Sequence, residues 1–418
     1  MRPLYTFLII SAIILAIDFY VWQGVSFLIR NMSPRAQRII RDVYWGFTAA
    51  NFLLFVALRF GFLIDFHRAT MQLIFAFTFA VLLAKIVWAL FLIMDDAARL
   101  VRWIWANAFS GEGELNPSRT KGIDRLKFFS QAGLLLGGGL VTAMTWGIVK
   151  GAHNYKVRRR ELRIAGLPDA FDGLKIAQLS DIHAGSFWSY NAVERGVNMV
   201  LEEKPDMVFF TGDLVNDRAD EMDDWKELFG RITAPMGVFS VLGNHDYGDY
   251  VVWPSAEAKE ANLAKLAKTH ADMGWQLLRN EHKLVTKGDS SLAVVGVENW
   301  SNKARFPKYG RLDTALAGTE AAPVRLLLSH DPSHWKAQVL DHNLPIHATF
   351  SGHTHGMQFG VDVKHYRWSP VKYMYREWLD LYEENGRYLY VNRGFGYLCY
   401  PGRLGMHPEV SVFTLRKA

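Results

Sequence analysis

The sequence predicts a chain in two parts, a bundle of four transmembrane helices followed by an α/β domain. Long apolar runs are concentrated in the first 150 residues. Beyond residue 153 the runs become short and alternate with amphipathic stretches, which is the pattern of strands and helices packed into one domain. Five of these short runs end in side chains that can bind a metal ion.

The composition favours a membrane protein over a nucleic-acid-binding protein. Half of the 418 residues are hydrophobic and 14% are aromatic, which is high for a purely soluble protein. The net charge of +6 and the pI of about 9.2 suit an anionic membrane surface, because many basic residues flank the apolar runs. The sequence has no stripe of Lys and Arg with interleaved aromatic residues, so we expect no nucleic-acid partner.

Four apolar segments are long enough to span a bilayer, which takes about 20 residues. They cover approximately residues 4–22, 43–63, 73–94 and 128–149. Asp18 and Lys85 lie inside or near the ends of these segments, and charged groups in a membrane often have a function. The favoured interpretation is that Asp18 reaches an interface or that the two residues pair for packing. The sequence thus divides into a four-span region, 1–152, and a second domain, 153–418.

The basic residues of the short loops predict the orientation in the membrane. Four arginines lie between the first two spans and six basic residues between the last two, against three on the opposite side. This asymmetry places the basic loops in the cytoplasm and the second domain outside it, in a multi-pass protein of the cell inner membrane. The basic cluster at 156–160 argues against this orientation, but its alternation into Leu162 and Ile164 is typical of a first strand. An incomplete twin-arginine signal at Arg125 supports export.

Beyond residue 153 the short apolar runs predict strands, and two longer stretches predict helices. The predicted strands are 175–179, 207–210, 238–242, 292–297, 324–328, 347–350, 388–391 and 410–415, and the predicted helices are 191–203 and 256–273. The single cysteine, Cys399, has no second cysteine for an intramolecular disulfide, and its neighbours predict a packed structural thiol.

Side chains that bind metal ions follow five of the predicted strands. They are Asp181 and His183, Asp213, Asn244, His330, and His353 and His355, in chain order. Ligands of α/β sheets bind outside the carboxyl ends of strands, so five such ends at one edge would make one site. Carboxylate, imidazole and amide groups together suit Mn²⁺, Fe or Zn²⁺ better than Ca²⁺, which prefers oxygen. Gly212, Gly243 and Gly352 are expected to let the backbone turn sharply beside the site.

The order of these residues resembles that of a known family. The chain contains, in order, Asp181-Ile-His183, Gly212-Asp213-Leu-Val-Asn-Asp217, Gly243-Asn-His-Asp246, an isolated His330 and Gly352-His-Thr-His355. These are similar to the ordered motifs of calcineurin-like metallophosphoesterases, with no ligand missing, over about residues 163–415. The flanking segments look like the membrane-associated branch of that family. That branch includes bacterial phosphodiesterases with N-terminal anchors and a pyrophosphatase acting on UDP-diacylglucosamine.

The resemblance implies a four-layer α/β/β/α sandwich that holds two divalent metal ions, Mn, Fe or Zn. Asp181, His183 and His355 would hold the first ion, Asn244, His330 and His353 the second, and Asp213 would bridge both. Paired metal ions generate hydroxide at neutral pH and clamp phosphoryl oxygens for in-line attack. His245 is expected to protonate the leaving oxygen or bind phosphate, with Asp246 orienting its ring. The alternative for His245 is a supporting hydrogen bond.

The function expected from this pattern is that of a membrane-anchored phosphoesterase. Its substrate would be a phosphodiester, a phosphomonoester or a lipid-linked pyrophosphate, and the anchor makes lipid and envelope components candidate partners. The alternative is a non-catalytic membrane receptor or scaffold with a vestigial domain, although such a protein would usually have lost a ligand. A transporter that uses Asp18 and Lys85 is less favoured, because the four spans contain no paired repeat. The oligomeric state stays open.

Two further groups of side chains have two interpretations each. Arg393 and Arg403 follow a late strand and would either contact a phosphate or form structural ion pairs. An aromatic cluster would either pack against itself, which is favoured, or line a lipid-facing entrance; it comprises Trp368, Tyr373, Tyr375 and Trp378.

Overall fold

The computed structural model describes residues 2–59, 68–109 and 120–418. Within them the chain forms two compact units, Met1–Thr145 and Trp146–Ala418. Residues 60–63 of the second predicted span, and Arg119 of the basic loop, lie outside the described residues.

Four long helices make up most of the first unit. They are α1 (Arg2–Ile29), α2 (Pro34–Arg59), α3 (Arg68–Phe109) and α4 (Thr120–Val149). Segments long and apolar enough to cross a membrane occur in all four, at Tyr5–Ile29, Pro34–Ala57, Thr70–Trp105 and Arg125–His153. Many of their large apolar side chains point outward, which a bilayer tolerates and water does not. The prediction of a multi-pass membrane region is confirmed.

The charged residues of the membrane helices contact each other. Lys85 Nζ on α3 donates to Asp18 Oδ1 on α1 at 2.5 Å, and both side chains are largely buried. Lys85 also lies 4.7 Å above the ring of Tyr44, whose hydroxyl donates to the Asp18 backbone carbonyl at 2.8 Å. The two charges therefore neutralise each other between the helices, as membrane burial requires.

Two six-stranded mixed sheets form the centre of the second unit. The strands of the first are β1 (Lys156–Ile164), β2 (Lys175–Leu179), β3 (Met207–Phe210), β4 (Val238–Ser240), β5 (Gln276–Leu277) and β14 (Glu409–Lys417). Those of the second are β6 (Glu281–Lys287), β7 (Ser290–Gly296), β8 (Arg325–Leu328), β9 (Ala348–Ser351), β12 (Asp380–Glu384) and β13 (Arg387–Val391). The first sheet has the strand order β1-β14-β2-β3-β4-β5 and the second β12-β13-β9-β8-β7-β6. A separate antiparallel hairpin joins β10 (Val361–Val363) to β11 (Tyr366–Trp368).

The two sheets pack face to face through aromatic side chains. Phe209 of β3 contacts Phe350 of β9 with ring centroids 5.1 Å apart, and Phe350 contacts Phe413 of β14 at 5.0 Å. Helices cover the outer faces of the sheets. They are α5 (Tyr190–Glu202), α6 (Lys226–Gly230) and α7 (Ala256–Asp272) beside the first sheet, and α8 (Leu312–Leu316) beside the second. This layering confirms the predicted α/β/β/α sandwich.

The predicted elements of this unit overlap observed ones throughout. The predicted boundaries agree best with the observed ones for apolar strands in which every residue is buried, such as β3 and β9. The sequence pattern missed β6 and β12, whose side chains are mostly polar and which lie at the two edges of their sheet. Charged edge strands protect a sheet from pairing with other chains, and that composition hides them from an apolar pattern.

Candidate metal centre

The carboxyl ends of five strands converge and bring the seven predicted metal-binding residues together. Backbone hydrogen bonds tie these ends to each other: Asp181 N donates to the Gly212 carbonyl at 2.9 Å, and Gly352 N donates to the His330 carbonyl at 2.9 Å. Two groups result in which all candidate ligand atoms lie within 4.8 Å of one another. They are Asp181, His183 and His355, and Asp213, His330 and His353.

In the first group the candidate ligand atoms lie within a few ångströms of one another. His355 Nε2 lies 3.2 Å from Asp181 Oδ1 and 3.1 Å from His183 Nε2. Asp213 Oδ2 lies 3.5 Å from His183 Nε2, so it reaches this group from the neighbouring one.

The second group has similar spacing, and the predicted amide of Asn244 contacts it. His330 Nε2 lies 3.1 Å from Asp213 Oδ2 and 3.2 Å from His353 Nδ1. His353 Nδ1 also lies 2.8 Å from Asn244 Oδ1. Asp213 therefore stands between the two groups, which is the position expected of a bridging carboxylate.

The donor set and its spacing fit two divalent cations. Ligand atoms that share one ion through bonds of about 2.1 Å lie roughly 3.0–3.4 Å apart in octahedral or tetrahedral geometry. Most of the contacts within each group fall near that interval. A mixture of imidazole nitrogen, carboxylate and one amide oxygen suits Mn, Fe or Zn.

The electrostatics of the site also favour cations. Asp181 is fully buried and Asp213 is almost so, and buried carboxylates require compensating positive charge. Burial opposes ionisation, yet the neighbouring histidines lower the pKa of both carboxyls. Burial alone would lower the pKa of His330, but the charges of Asp213 and Asp181 raise it to about 10. The site therefore draws positive charge toward its centre.

The backbone at the site is unusual for residues with side chains. Five of the seven predicted ligands have left-handed φ angles between 50° and 71°: Asp181, His183, Asp213, His353 and His355. Each such residue costs roughly 1–2 kcal/mol relative to ordinary backbone, and strain of this kind clusters at functional sites. These turns redirect the chain at the strand ends and aim the side chains at the shared points.

Gly243 and Gly352 are needed because other atoms pack closely against their backbone, and not because the chain turns sharply there. A Cβ on Gly352 would lie 1.9 Å from Ser180 Oγ and 2.1 Å from Asp181 Oδ2. A Cβ on Gly243 would lie 2.2 Å from Asp213 Oδ1. Any larger residue would displace the carboxylates, which explains why these motif positions need glycine.

His245 lies beside the first group, where its backbone N donates to Asp213 Oδ1 at 2.9 Å. Its ring lies 5.0 Å from the His183 ring, and its Nδ1 contacts the Asn216 backbone carbonyl at 2.7 Å. Because a carbonyl only accepts, Nδ1 carries the hydrogen and Nε2 is the atom free to exchange a proton.

Asp246, which the sequence suggested would orient the His245 ring, makes its hydrogen bonds to the backbone of two loops. Its carboxylate accepts backbone hydrogen bonds of 2.8–3.3 Å from four residues of the loops that follow β3 and β4: Asp213, Leu214, Val215 and Gly243. Both carboxylate oxygens are thus engaged with the loops, and the Asn216 carbonyl holds the His245 ring instead. Asp246 fixes the shape of the loops that carry Asp213 and Asn244.

The carboxylate of Asp331 and the phenol of Tyr375 support the second group, although the sequence pattern did not indicate either as part of this site. Tyr375 Oη lies 2.8 Å from His353 Nε2 and 3.1 Å from Asp331 Oδ2. Asp331 Oδ2 is itself 3.4 Å from His353 Nε2. A carboxylate behind a metal-binding histidine fixes its tautomer and ring orientation. The only sequence signal was that Asp331 directly follows His330.

The remaining candidates lie in structural positions. Arg393 forms buried ion pairs with Glu409 and Asp362, and Arg403 donates to the Gly396 carbonyl at 3.0 Å and also contacts His355 Nδ1 at 3.2 Å. The prediction that Cys399 is packed is wrong, because it is exposed, at a left-handed turn position.

A cavity of about 390 Å³ opens onto the two groups. Its polar lining includes Asp213, Asn244, His245, His353 and His355, and Arg305 contributes a positive charge. The walls are mainly apolar and aromatic: Tyr250, Phe306, Met357, Val371, Met374, Tyr375 and Leu398. A negatively charged group with an apolar substituent matches this lining.

Comparison with known proteins agrees with this geometry. Residues 1–152 match the family model described as "Probable Calcineurin-like phosphoesterase, transmembrane domain", and residues 174–357 match "Calcineurin-like phosphoesterase". A zebrafish (Danio rerio) "Transmembrane protein with metallophosphoesterase domain" is 26% identical over 98% of this chain and 89% of its own length.

Two bacterial relatives carry names that specify a reaction. The Escherichia coli "Phosphodiesterase YaeI" is 25% identical, covering 60% of this chain and 86% of its own. The Chlamydia trachomatis "UDP-2,3-diacylglucosamine pyrophosphatase LpxG" is 23% identical, covering 72% of this chain and 89% of its own. The chain therefore contains a calcineurin-like phosphoesterase domain together with a four-helix transmembrane domain, and it is a metal-dependent phosphoester hydrolase.

Proposed function

We propose that this chain hydrolyses a phosphate ester with two divalent ions held by the seven clustered residues, and that residues 1–152 anchor the catalytic domain 153–418. The observation that carries the proposal is the pair of ligand groups joined by Asp213. Asp181, His183 and His355 would hold one ion, and Asn244, His330 and His353 the other. Mn, Fe and Zn are the candidate metals.

The protein's own residues then have distinct roles. When bound, the metal ions supply an activated water and neutralise charge on the phosphoryl oxygens. His245 Nε2 donates a proton to the leaving oxygen, and the Asn216 carbonyl keeps the opposite ring nitrogen protonated. Arg305 on the cavity wall attracts the negative charge of the substrate.

The cavity supports an ester with an apolar substituent. Its walls are mostly apolar, and two relatives are named as a phosphodiesterase and a lipid-precursor pyrophosphatase. We therefore place a phosphodiester or a lipid-linked pyrophosphate ahead of a small phosphomonoester.

Metal analysis combined with hydrolysis assays tests the proposal. The full-length chain in detergent, supplied with Mn²⁺, is expected to contain metal and to hydrolyse p-nitrophenyl phosphate or its bis-ester. Asp213→Asn removes charge from the bridging position and is expected to abolish turnover. Asp289→Asn, at an exposed turn, is the matched control. Absence of both metal and turnover in the wild-type chain would favour the receptor or scaffold alternative.

The orientation in the membrane has its own test. The loop charges support a multi-pass protein of the inner membrane with its catalytic domain outside the cytoplasm. A reporter enzyme fused after residue 418, active only outside the cytoplasm, is expected to be active. An inactive fusion, together with activity of a cytoplasmic reporter, would place the domain on the other side.

A further inference from the structure

The hairpin β10–β11 has its apolar face turned toward solvent. Alternate residues of a strand point to opposite faces. Val361 pairs with Trp368 and Val363 with Tyr366, so these four side chains share one face. Asp362 and Arg367 pair on the opposite face.

Ion pairs fix which face points inward. Asp362 is largely buried and lies 2.5 Å from Arg158 and 2.9 Å from Arg393. Arg367 lies 2.8 Å from Asp380, which also pairs with Arg160 at 2.7 Å. The charged face is therefore held against the sheets, and the hairpin cannot rotate to bury its apolar face without breaking this network. An antiparallel sheet usually packs its apolar face on the core and turns its polar face to solvent, and this hairpin has the opposite arrangement.

The outward face belongs to a larger apolar surface. Val363 and Tyr366 are each 57% exposed, and Tyr373 is 75% exposed. Together with Phe359 and Val361, which are also exposed, these residues form what we term the hairpin patch. Trp368 joins its parts, because its ring contacts Phe359 and its Nε1 donates to Tyr373 Oη at 3.4 Å.

The hairpin patch continues into the catalytic cavity. Met357 lies two residues before Phe359 and Met374 directly follows Tyr373; both methionines are exposed and line the cavity. An apolar path of side chains therefore leads from the patch to the metal-binding residues. Flexible Met side chains accommodate chains of varied shape.

The residues around the patch indicate what covers it. Lys364 at the hairpin tip, Lys372 and Arg376 are exposed, and Lys372 lies 5.2 Å from the Tyr373 ring. Exposed aromatic and aliphatic side chains bordered by lysines are typical of surfaces that enter the headgroup region of an anionic bilayer. Protein–protein interfaces are instead depleted in lysine. The chain also has four membrane-spanning helices, so a bilayer is always near it.

We propose that the hairpin patch binds the surface of an anionic lipid bilayer, and that a phosphate ester attached to a lipid enters the cavity along Met357 and Met374. The first part is independent of catalysis. The second part rests on the proposed phosphoesterase function.

Fluorescence tests the membrane contact without any assay of activity. In a Cys399→Ser background, Val363→Cys carries an environment-sensitive dye, and the full chain is reconstituted in phosphatidylcholine vesicles with or without phosphatidylglycerol. Leu284→Cys, at a 47% exposed position on β6, is the control. We expect lipid-attached spin labels to quench the dye at 363 and not at 284, more strongly with the anionic lipid. Equal quenching at both positions would overturn the proposal, as would a patch covered by a protein partner and inaccessible to lipid.

Hydrolysis of two substrates tests the delivery of lipid. The pair Val363→Ser and Tyr366→Ser is compared with Leu284→Ser on a soluble bis-ester and on a fluorescent lipid phosphodiester in vesicles. We expect the lipid rate to fall about tenfold or more, the effect of losing burial of one or two apolar side chains, while the soluble rate stays unchanged. An unchanged lipid rate, or equal losses on both substrates, would contradict selective delivery. If the wild-type chain hydrolyses neither ester, the proposed function fails, and the quenching result still decides the membrane contact.

Discussion

At the scale of single residues, a backbone carbonyl orients the His245 ring and determines which ring nitrogen faces the substrate. The Asn216 carbonyl fixes the hydrogen on Nδ1, so Nε2 is left to serve the substrate. A substitution of the Asn216 side chain would leave this contact in place. The function of His245 is therefore best tested at the histidine itself.

We expect His245→Ala to lower turnover by roughly 10²–10⁴-fold, the usual contribution of a general acid. Its side chain is not among the seven clustered ligands, so both metal ions should stay bound. Steady-state kinetics with metal analysis of the same sample measures both quantities. Loss of metal in this variant would instead assign His245 a structural part in the metal centre.

Asp331→Asn should weaken metal binding without removing a ligand. Asp331 lies behind His353, and loss of such a carboxylate typically costs about 10–100-fold in metal affinity or activity. Titration of the metal-depleted chain with Mn²⁺ measures the affinity. Asp341→Asn, an exposed carboxylate on the same connecting segment, is the control and should bind normally. Identical affinities for the two variants would show that Asp331 does not position His353.

The sequence indicated the seven clustered residues, but it did not indicate the hydrogen bonds that Asp246 accepts. The clustered residues follow the ends of strands, and Asp213, Asn244 and His353 each come directly after a glycine, so this signal is local in the chain. The acceptor role of Asp246 depends on backbone N–H groups from two loops that meet only in the folded protein. The sequence pattern cannot distinguish a carboxylate that accepts hydrogen bonds from loop backbone N–H groups from one that orients a histidine ring.

At the scale of elements, buried strands were more predictable than edge strands. A run such as Met207–Phe210 is apolar throughout because both faces are covered. Glu281–Lys287 is an edge strand and exposes nearly every side chain, so its composition contains no apolar pattern that would predict a strand. The hairpin β10–β11 was missed for a related reason, since its three-residue strands are too short for a periodic signal.

The ion pair between α1 and α3 should stabilise the membrane domain only as a pair. Asp18→Asn or Lys85→Met alone leaves one buried charge without its partner, and we expect a cost of about 3–5 kcal/mol. The double variant should cost much less than the sum of the two. Unfolding of the detergent-solubilised chain measures the three free energies, with the exposed Asp42→Asn as control. Strictly additive costs would mean that the two side chains do not interact.

At the scale of the whole molecule, the sequence could predict the layers but not the strand order. Apolar patterns and the family resemblance gave an α/β/β/α sandwich. Nothing local in β14 indicates that it lies between β1 and β2, parallel to one and antiparallel to the other. That arrangement depends on contacts across more than 200 residues of chain.

Buried histidines should make the folded catalytic domain sensitive to acid. His270 is fully buried, and burial lowers its pKa from 6.5 to about 3. The unfolded chain therefore binds this proton at a higher pH than the folded chain does. The contribution of neutral His270 to the free energy of unfolding is therefore fully present well above pH 6.5 and is lost as the pH falls. At pH 5 the loss from this residue alone is about 2 kcal/mol.

His270→Leu should remove this part of the acid sensitivity. Both ring nitrogens lack hydrogen-bond partners among the described residues, so leucine leaves no polar group unsatisfied. Denaturant unfolding at pH 7 and pH 5 should show a smaller difference for this variant than for the wild type. The exposed His365→Gln should behave like the wild type. An unchanged pH difference in His270→Leu would contradict the assignment.

The central position of β14 has a consequence for how the protein is made. A ribosome translates all seven clustered residues before it reaches residue 409, yet β2, from which Asp181 and His183 extend, pairs with β14 along one edge. During that interval β2 presents one unpaired apolar edge, which favours aggregation or premature association. Trimming the residues after 408 would therefore remove an inner strand of the sheet, and a misfolded chain, rather than a shortened enzyme, is the outcome to expect.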